Sequence, residues 1–360
     1  MPAKEALIKV RPQTLKEVIG QAHHKELIQR QMRACQRAHQ PFPHTLFFGP
    51  PGVGKTTLAG VIAHEMDQDF LDIRPDQLRT GAHVWDRIIV PIAQSLARGK
   101  SILVFIDEIH GLSQVVAEIL YPLVEDGVYT HEKEGRLQLP PFSLVGATTY
   151  PGMMPAPLLD RFALKLALDP YGTTEIFEIV TMNLIAECQS QNVPFQAESD
   201  GDDSIFAVAQ EIVQRSRLVP RIAIEMTRGV VRTAAGQAEA VNPLSVKDAH
   251  EYFALLRIDE LGLTPPDRQY LLTLWHYGNE QKQGLGIRQL SDLLQQQRDY
   301  LEQYIEPFLI KLHLMARTRT GRKLTERGMA YLRSHVSAEE LTDGAPMGDA
   351  IRPVGEVFGL

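Results

Sequence analysis

The chain has 360 residues, of which 44% are hydrophobic and 22% charged, and its formal net charge is -7. These values are typical of a globular protein with two or three domains, and no segment approaches the 18 uncharged apolar residues of a membrane span. The N-terminal segment has no apolar core, so we expect no secretory signal. The two cysteines, Cys35 and Cys188, lie far apart on predicted helices, which fits free thiols in a reducing cytoplasm.

Strands and helices alternate in the first part of the chain, which predicts an α/β domain with a sheet and flanking helices. Apolar runs at 44–49, 101–107 and 142–149 are predicted strands. A glycine-rich turn and a helix follow the first run, two acids end the second, and two threonines end the third. The polar groups that carry chemistry therefore follow the strands directly.

The segment 49–56, GPPGVGKT, fits the phosphate-binding pattern GxxxxGK[ST] between a strand and a helix. Gly52 and Gly54 let backbone N–H groups wrap the phosphates, and the helix N-terminus adds its dipole. Lys55 would neutralise the β- and γ-phosphates, and the Thr56 hydroxyl would bind Mg²⁺. We therefore predict a site for ATP and Mg²⁺; the alternative, a chance glycine-rich turn, is disfavoured because pattern and context agree.

Further polar residues suggest how hydrolysis works. Asp107 would hold Mg²⁺ through water, while Glu108 is placed to polarise the attacking water. Thr149, at the end of the third strand, could orient that water. Arg161 could reach the γ-phosphate of a neighbouring subunit, and Arg221 could close a helical lid. Each of the last three alone is more often a solvated or salt-bridged residue, so their order along the chain carries the argument.

Residues 127–142 contain two short alternating runs, 128–131 and 136–139, around a charged turn, which predicts a β-hairpin between the second and third strands. From about Tyr171 the pattern becomes helical, and four predicted helices make a small bundle. A predicted helix at 267–277, a second at 287–295 and a long third at 297–314 are followed by two short strands. Three helices and a basic β-wing are the pattern of a winged helix.

Basic residues concentrate at 311–334, which holds seven Lys or Arg and one acid. Any contact with a polyanion should therefore lie there, despite the negative net charge. Arg317, Arg319, Arg322 and Lys323 on a wing would suit salt-dependent, sequence-independent contacts with DNA phosphates. The alternative is a merely solvated basic turn.

The order of these motifs, with P-loop, DEIH, GATT, an arginine before phenylalanine and an arginine opening a lid helix, is the AAA+ pattern. More closely, the chain resembles the RuvB family of Holliday-junction branch-migration motors over about residues 8–335. Several matching strings are specific to that family. They include RPQTLKEVIGQ (11–21), GPPGVGKTTLA (49–59), FIDEIHGLS (105–113), EILYPLVED (118–126), LPPFSLVGATT (139–149), APLLDRF (156–162), RSRLVPRIA (215–223) and YIEPFLIKLHLMARTRTGR (304–322).

The resemblance implies a ring of six subunits, each with a large ATPase domain (1–171), a helical lid (172–255) and a winged helix (256–335). Residues 336–360 are interrupted by Gly and Pro, which predicts a mobile tail. It also implies the roles of individual residues. Arg161 matches the trans-acting arginine finger, and Arg298, Arg317 and Arg322 match DNA contacts. The positions that match the nucleotide site are Val10, Arg11, Gly52, Lys55, Thr56, Thr57, Tyr171 and Arg221.

In this family the hairpin binds RuvA, the junction-binding protein, so hairpin 128–139 is expected to contact a RuvA-like partner. Here the segment is several residues shorter than the family pattern and its tip is charged. The family's GGP before the second winged-helix helix is also missing, Leu158 replaces an expected arginine, and Ala163 replaces a glycine. These changes spare the ATPase chemistry and fall on partner and DNA surfaces.

Three functions follow from this pattern. The first is an ATP-driven translocase that moves double-stranded DNA at four-way junctions. The second is a divergent motor of the same type that remodels another protein–DNA complex with a partner other than RuvA. The third is an ATP-gated loader or switch; the winged helix argues against a clamp loader, since those chains end in a helical collar.

Overall fold

The protein is described from a computed structural model, which covers residues 12–196, 201, 204–236, 242–278, 284–337 and 341. Val10, Arg11 and nearly all of the predicted tail lie outside these described residues. The chain divides into two compact units, Met1–Tyr252 and Phe253–Leu360. The predicted ATPase and lid domains fall essentially in the first unit, and the predicted winged helix falls in the second.

The described residues form nine strands, which build one five-stranded sheet and two hairpins. In chain order they are β1 (Thr45–Phe48), β2 (Asp69–Ile73), β3 (Ile102–Ile106), β4 (Val128–His131), β5 (Gly135–Gln138), β6 (Ser143–Thr148), β7 (Leu164–Ala167), β8 (Met315–Thr318) and β9 (Gly321–Leu324).

They also form fifteen α-helices of three or more residues. These are α1 (Ala22–Ala38), α2 (Lys55–Glu65), α3 (Gly81–Val84), α4 (Val90–Ala97), α5 (Gln114–Asp126), α6 (Ala156–Asp160), α7 (Thr173–Gln191), α8 (Ile205–Arg215), α9 (Pro220–Gly236), α10 (Val246–Leu255), α11 (Pro265–Thr273), α12 (Ile287–Leu294), α13 (Arg298–Tyr300), α14 (Glu306–Lys311) and α15 (Glu326–His335).

The five-stranded sheet is parallel and has the order β2-β3-β6-β1-β7. The three predicted strands are confirmed as β1, β3 and β6, and every residue of β3 and β6 is buried, as expected for strands covered on both faces. Because these neighbouring strands run in the same direction, the P-loop, the acid pair and the threonines emerge at one edge of the sheet. The α/β fold with flanking helices is confirmed.

The two outer strands, β2 and β7, were not predicted. In β2 exposed and more buried residues alternate, and its sequence DFLDI includes two aspartates. An edge strand with one solvent-exposed face lacks the continuous apolar run that identifies the central strands. The hydrophobic pattern was therefore too weak to predict the two edge strands.

The predicted hairpin is confirmed as β4 and β5, which pair antiparallel from Val128 with Gln138 to His131 with Gly135. It follows α5 directly, through Gly127 in the left-handed region at φ 65°. The Tyr129 ring is buried, and its hydroxyl donates a hydrogen bond to the Gly81 carbonyl at 3.2 Å. The base of the hairpin is thus tied to the large domain, while its turn is exposed.

The predicted bundle of four helices corresponds to α7–α10, and α7 packs against α8 and α9. At the start of α7 the Glu175 carboxylate accepts a hydrogen bond from the Gly172 N–H at 2.8 Å. The segment before α9 is unusual because Arg217 and Leu218 both have positive φ, at 59° and 58°. This turn directs the start of α9 toward the P-loop.

The second unit has the predicted winged-helix elements. Its long helix is continuous from α13 through a π-helical turn at Leu301–Ile305 to α14, and it ends at Lys311, three residues before the predicted end. Strands β8 and β9 form the wing, and Leu285 pairs with Arg322 beside it. Tyr270, Leu290 and Leu309 are fully buried in its core.

Among the helices of the described residues, none combines the length and hydropathy that crossing a bilayer requires.

Candidate nucleotide site and DNA-binding surface

The P-loop connects β1 to α2 through two residues that need left-handed backbone. Gly52 has φ 80° and Gly54 has φ 92°, conformations that residues with a Cβ adopt at a cost. Helix α2 begins at Lys55, with exposed Thr56 and half-buried Thr57 in its first turn. The first N–H groups of α2 therefore open onto the loop, which is the arrangement that binds phosphate.

Gly52 also touches the start of the lid helix α9. A Cβ at this position would lie 2.7 Å from Val219 Cγ1 and 3.4 Å from Arg221 Cβ. The close approach brings Arg221, the predicted lid residue, to the P-loop. Val219 was not predicted, since an apolar residue in a turn carries no motif signal.

We expect Gly52→Ala to lower ATP affinity and ATPase activity by at least about tenfold, because the new methyl group strains a positive φ and displaces Val219. Titration with a fluorescent ATP analogue measures the effect. The matched control is Gly60→Ala on α2, where no atom lies within 4 Å of the new Cβ. That control should bind normally; equal affinity in both variants would mean that the close approach of Val219 does not matter for nucleotide binding.

Lys55 lies in a cluster of charged residues with Asp107, Glu108 and Arg221. Only 6% of the residue is exposed, and its Nζ donates hydrogen bonds to the carbonyls of Gly49 at 2.9 Å and Pro50 at 3.1 Å. Burial lowers the pKa of its ammonium, and the charges of Glu108 and Asp107 partly offset that change. Arg221 lowers the pKa further. The structure therefore brings the predicted phosphate, metal and lid residues within electrostatic reach of one another.

Glu108 is held in a strained and well-defined position. It has φ 47°, and its Oε2 accepts hydrogen bonds from the Thr149 N–H at 3.1 Å and the Thr149 hydroxyl at 3.0 Å. His110 Nδ1 lies 3.2 Å from the same oxygen and 2.9 Å from Thr148 Oγ1. Asp107 Oδ1 accepts from the Glu108 N–H at 3.1 Å. The predicted Glu108–Thr149 pair is thus in contact, and His110 is an additional member that its place in DEIH could have indicated.

Tyr171, the predicted adenine-side residue, lies beside the loop, and its role there stays a prediction. Its hydroxyl is 3.5 Å from the Cβ position of Gly54, and its ring is 3.0 Å from that of Gly20, in the segment before α1. Burial, followed by the charge of Glu175, raises the pKa of Tyr171 to about 12, so the phenol stays neutral. The buried Tyr171 ring thus packs next to both the P-loop and the segment before α1.

The donor set fits ATP with Mg²⁺. Magnesium in nucleotide sites is usually held by one or two protein oxygens together with phosphates and water, so the predicted Thr56 and Asp107 would suffice. Within the described part of the chain, no group of three His, Cys, Asp or Glu side chains is placed to hold a metal ion.

Arg161, the predicted finger, makes its contacts with residues of α5 and α6. Its Nε donates to Glu125 Oε2 at 2.9 Å, its Nη1 donates to the Pro157 carbonyl, and its guanidinium stacks 5.0 Å from the centre of the Tyr121 ring. Glu125 was not predicted, because nothing in the sequence links two residues that lie 36 positions apart.

A network of ion pairs joins the wing to α14 around one buried carboxylate. Glu306 is fully buried, and its carboxylate accepts hydrogen bonds from the Tyr270 hydroxyl at 2.7 Å and from Arg322 Nε at 3.0 Å. Arg317 Nε also donates to it, and Arg322 Nη2 pairs with Glu302. Although burial disfavours its charge, these carboxylates raise the pKa of Arg322. Two of the predicted DNA residues therefore hold the wing together.

The other predicted DNA residues are differently placed. Arg319 at the wing tip and Arg298 at the start of α13 are both exposed, while Lys323 is half-buried. Exposed guanidinium groups on a wing and at a helix start can reach phosphates. Unlike Arg317 and Arg322, they would not have to leave the buried carboxylate of Glu306 without its ion pairs. Of the five predicted DNA residues, Arg298 and Arg319 best satisfy this condition.

Comparison with known proteins decides the family. Residues 10–168 match the model of the Holliday junction DNA helicase RuvB P-loop domain, and residues 260–333 match that of the RuvB C-terminal winged helix domain. The chain belongs to the RuvB family. It is a P-loop ATPase of that family, and the predicted resemblance is confirmed.

Individual relatives agree. The chain is 35% identical to the Holliday junction branch migration complex subunit RuvB of Paracoccus denitrificans (strain Pd 1222) over 90% of each protein. The solved structure of the Thermotoga maritima RuvB Holliday junction branch migration motor is similar at 31% identity, with a TM-score of 0.71 over 90% of this chain and 98% of that one. A structure of a point mutant of the same Thermotoga maritima protein matches with a TM-score of 0.73 over 91% and 100%.

Proposed function

We propose that this RuvB-family ATPase is a motor that drives branch migration of four-way DNA junctions in the cytoplasm, assembled as a ring of six. The observation that carries the proposal is the cluster of Lys55 with Asp107, Glu108 and Arg221 at the P-loop of a chain that also has a winged helix. A binding module without hydrolysis would need neither the held carboxylate of Glu108 nor an arginine at position 161.

The residues divide the hydrolytic work. Lys55 and the P-loop N–H groups bind the phosphates, and Thr56 and Asp107 would hold Mg²⁺, which would neutralise charge on the phosphates. The contacts described above for the Glu108 carboxylate are all made by Oε2, which leaves Oε1 to orient and polarise the attacking water. Thr149 and His110 fix that orientation. Arg161 of the neighbouring subunit stabilises the charge that develops on the transferred phosphoryl group.

The winged helix supplies the DNA contact. We expect Arg319→Ala to weaken binding of a four-way junction and to reduce the salt slope of log K by about one unit, because one phosphate contact is lost. Arg298→Ala should behave similarly. The measurement is fluorescence anisotropy over a salt series, with Arg30→Ala as control, since Arg30 pairs with Glu26 on α1 of the first unit. An unchanged slope for Arg319→Ala would exclude the wing tip from the DNA site.

The hairpin is the proposed surface for a RuvA-type partner. Its exposed turn at residues 132–134 projects from a base fixed by Tyr129, and the Trp85 and His131 rings pack against each other at 4.3 Å. This arrangement ties the base of the hairpin to the large domain and exposes its charged turn. The turn could therefore contact a partner while the contacts of the base are kept.

The test of the proposed function is ATP hydrolysis in the presence of a synthetic four-way junction, with and without RuvA. Its matched variant replaces the turn from Glu132 to Gly135 by Asn-Gly. Stimulation of the native chain by RuvA, and none of the variant, is the expected result. Equal stimulation of both by DNA with no effect of RuvA would contradict the proposed partner.

A further inference from the structure

The side chain of Arg161 is held in place by contacts with three other residues. One carboxylate oxygen of Glu125, Oε2, accepts from Nε at 2.9 Å and lies 2.6 Å from Nη2. The Pro157 carbonyl accepts from Nη1, and the Tyr121 ring lies under the guanidinium face. Only a quarter of the side chain is exposed, whereas the Glu125 side chain is 55% exposed.

Two helices create this arrangement. Tyr121 and Glu125 are four residues apart on α5, so they share one face of that helix. Helix α6 packs against α5 and ends next to Arg161, and Leu158 anchors α6 in the core with no exposed surface. The guanidinium therefore rests on a rigid framework, with a charged group on one edge and an aromatic ring on one face.

Counting donors shows what remains available. A guanidinium has five N–H donors, and Glu125 and Pro157 occupy three of them. One N–H is left on each of the two terminal nitrogens. Two N–H groups in a fixed fork match the oxygens of a phosphoryl group bidentately.

We propose that Glu125 is a positioning residue for the trans-acting finger, holding Arg161 through Nε and Nη2 so that its other N–H groups face the nucleotide of the next subunit. This inference rests on the proposed function, since it assumes that Arg161 acts in trans. The Tyr121 ring, which packs against the guanidinium face, supports the same orientation. Without the Glu125 carboxylate the long arginine side chain samples several rotamers, and each turnover then depends on the fraction that points correctly.

The test uses two inactive chains that complement each other. Lys55→Ala subunits keep a finger but lack a working site, and Arg161→Ala subunits keep a site but lack a finger. A one-to-one mixture of the two regains ATPase activity if the finger works in trans. Glu125→Gln is then placed on one partner or the other, and kcat and KM for ATP are measured.

On the finger-donating Lys55→Ala chain, Glu125→Gln should lower the kcat of the mixture by about ten- to hundredfold with no change in KM. On the Arg161→Ala chain it should have no effect, because that chain has no finger to position. Glu118→Gln on the finger donor is the matched control, since Glu118 lies exposed on α5 and accepts a hydrogen bond from Gln114 of the same helix. Thermal unfolding should be unchanged, as expected for a half-exposed ion pair.

The outcomes separate the two claims. A mixture that stays inactive before any Glu125 change rejects the trans finger of the proposed function, and the positioning role with it. A mixture that works but is indifferent to Glu125→Gln on the finger donor rejects the positioning role alone. Higher activity in that variant would also overturn it, because Glu125 would then withhold the finger from the phosphate.

Discussion

Arg161→Ala is expected to reduce ATP hydrolysis by about 10³–10⁵-fold and to leave ATP binding intact. An arginine finger acts on the charge that develops during phosphoryl transfer, so its loss affects the transition state far more than the bound ground state. Within its own subunit Arg161 binds Glu125 and Tyr121, and we propose that it acts on the nucleotide of the neighbouring subunit.

The measurement pairs steady-state phosphate release with titration of a fluorescent ATP analogue. Arg98→Ala is a suitable control, since Arg98 is also an arginine of the large domain and pairs with Asp69 and Ser95. It should hydrolyse ATP at the native rate. If Arg161→Ala loses nucleotide binding along with hydrolysis, the finger assignment is wrong and the residue supports its own site instead.

The second large effect concerns the stability of the wing. Glu306 is fully buried in the native protein, and the double variant Arg317→Ala/Arg322→Ala removes two of the donors described above for its carboxylate, leaving the Tyr270 hydroxyl. Breaking a buried ion pair from one side costs about 3–5 kcal/mol. We therefore expect the second unit to unfold at much lower denaturant concentration.

The two tryptophans allow each unit to be observed separately. Trp85 lies in the first unit and Trp275 in the second, so a Trp85→Phe background makes Trp275 fluorescence report on the winged helix alone. Adding Glu306→Gln to the double variant removes the buried charge and should restore much of the lost stability. An unchanged midpoint in the double variant would mean that Glu306 does not depend on these arginines.

This network changes how the DNA contacts must be tested. Loss of DNA binding in Arg317→Ala/Arg322→Ala would not distinguish a lost phosphate contact from a misfolded wing. Arg319→Ala avoids the problem because Arg319 is exposed at the tip. The predicted DNA roles of Arg317 and Arg322 stay predictions until the fold of each variant is controlled.

Local patterns made the nucleotide site predictable. The P-loop, the acids after β3 and the threonines after β6 each combine a buried apolar run with polar residues at its end, so position in the chain implied position in the sheet. The hairpin was predictable for the same reason, since alternation and a charged turn occur within 16 residues. Its second strand starts one residue earlier than predicted.

Residues whose role depends on distant partners could not be predicted. In the sequence Glu306 is an acid on a helix and would ordinarily be solvated; it is buried because Tyr270, Arg317 and Arg322 converge on it from three other elements. The role of Glu125 likewise depends on a residue that is distant in the sequence. The departure predicted at Leu158 falls one residue later, since PLLDRF aligned on PLRDRF places the family's arginine at Leu159. Leu158 is fully buried and fills the core beneath α6, and the half-buried Leu159 packs against that core.

The proposed function requires that ATP hydrolysis by this chain moves a four-way junction. The decisive experiment follows a synthetic junction with a homologous core as it is converted to two forked duplexes, with RuvA present, by the native chain and by Lys55→Ala. We expect conversion that requires ATP and the native lysine. DNA-stimulated hydrolysis by the native chain without any conversion of the junction would contradict the proposal.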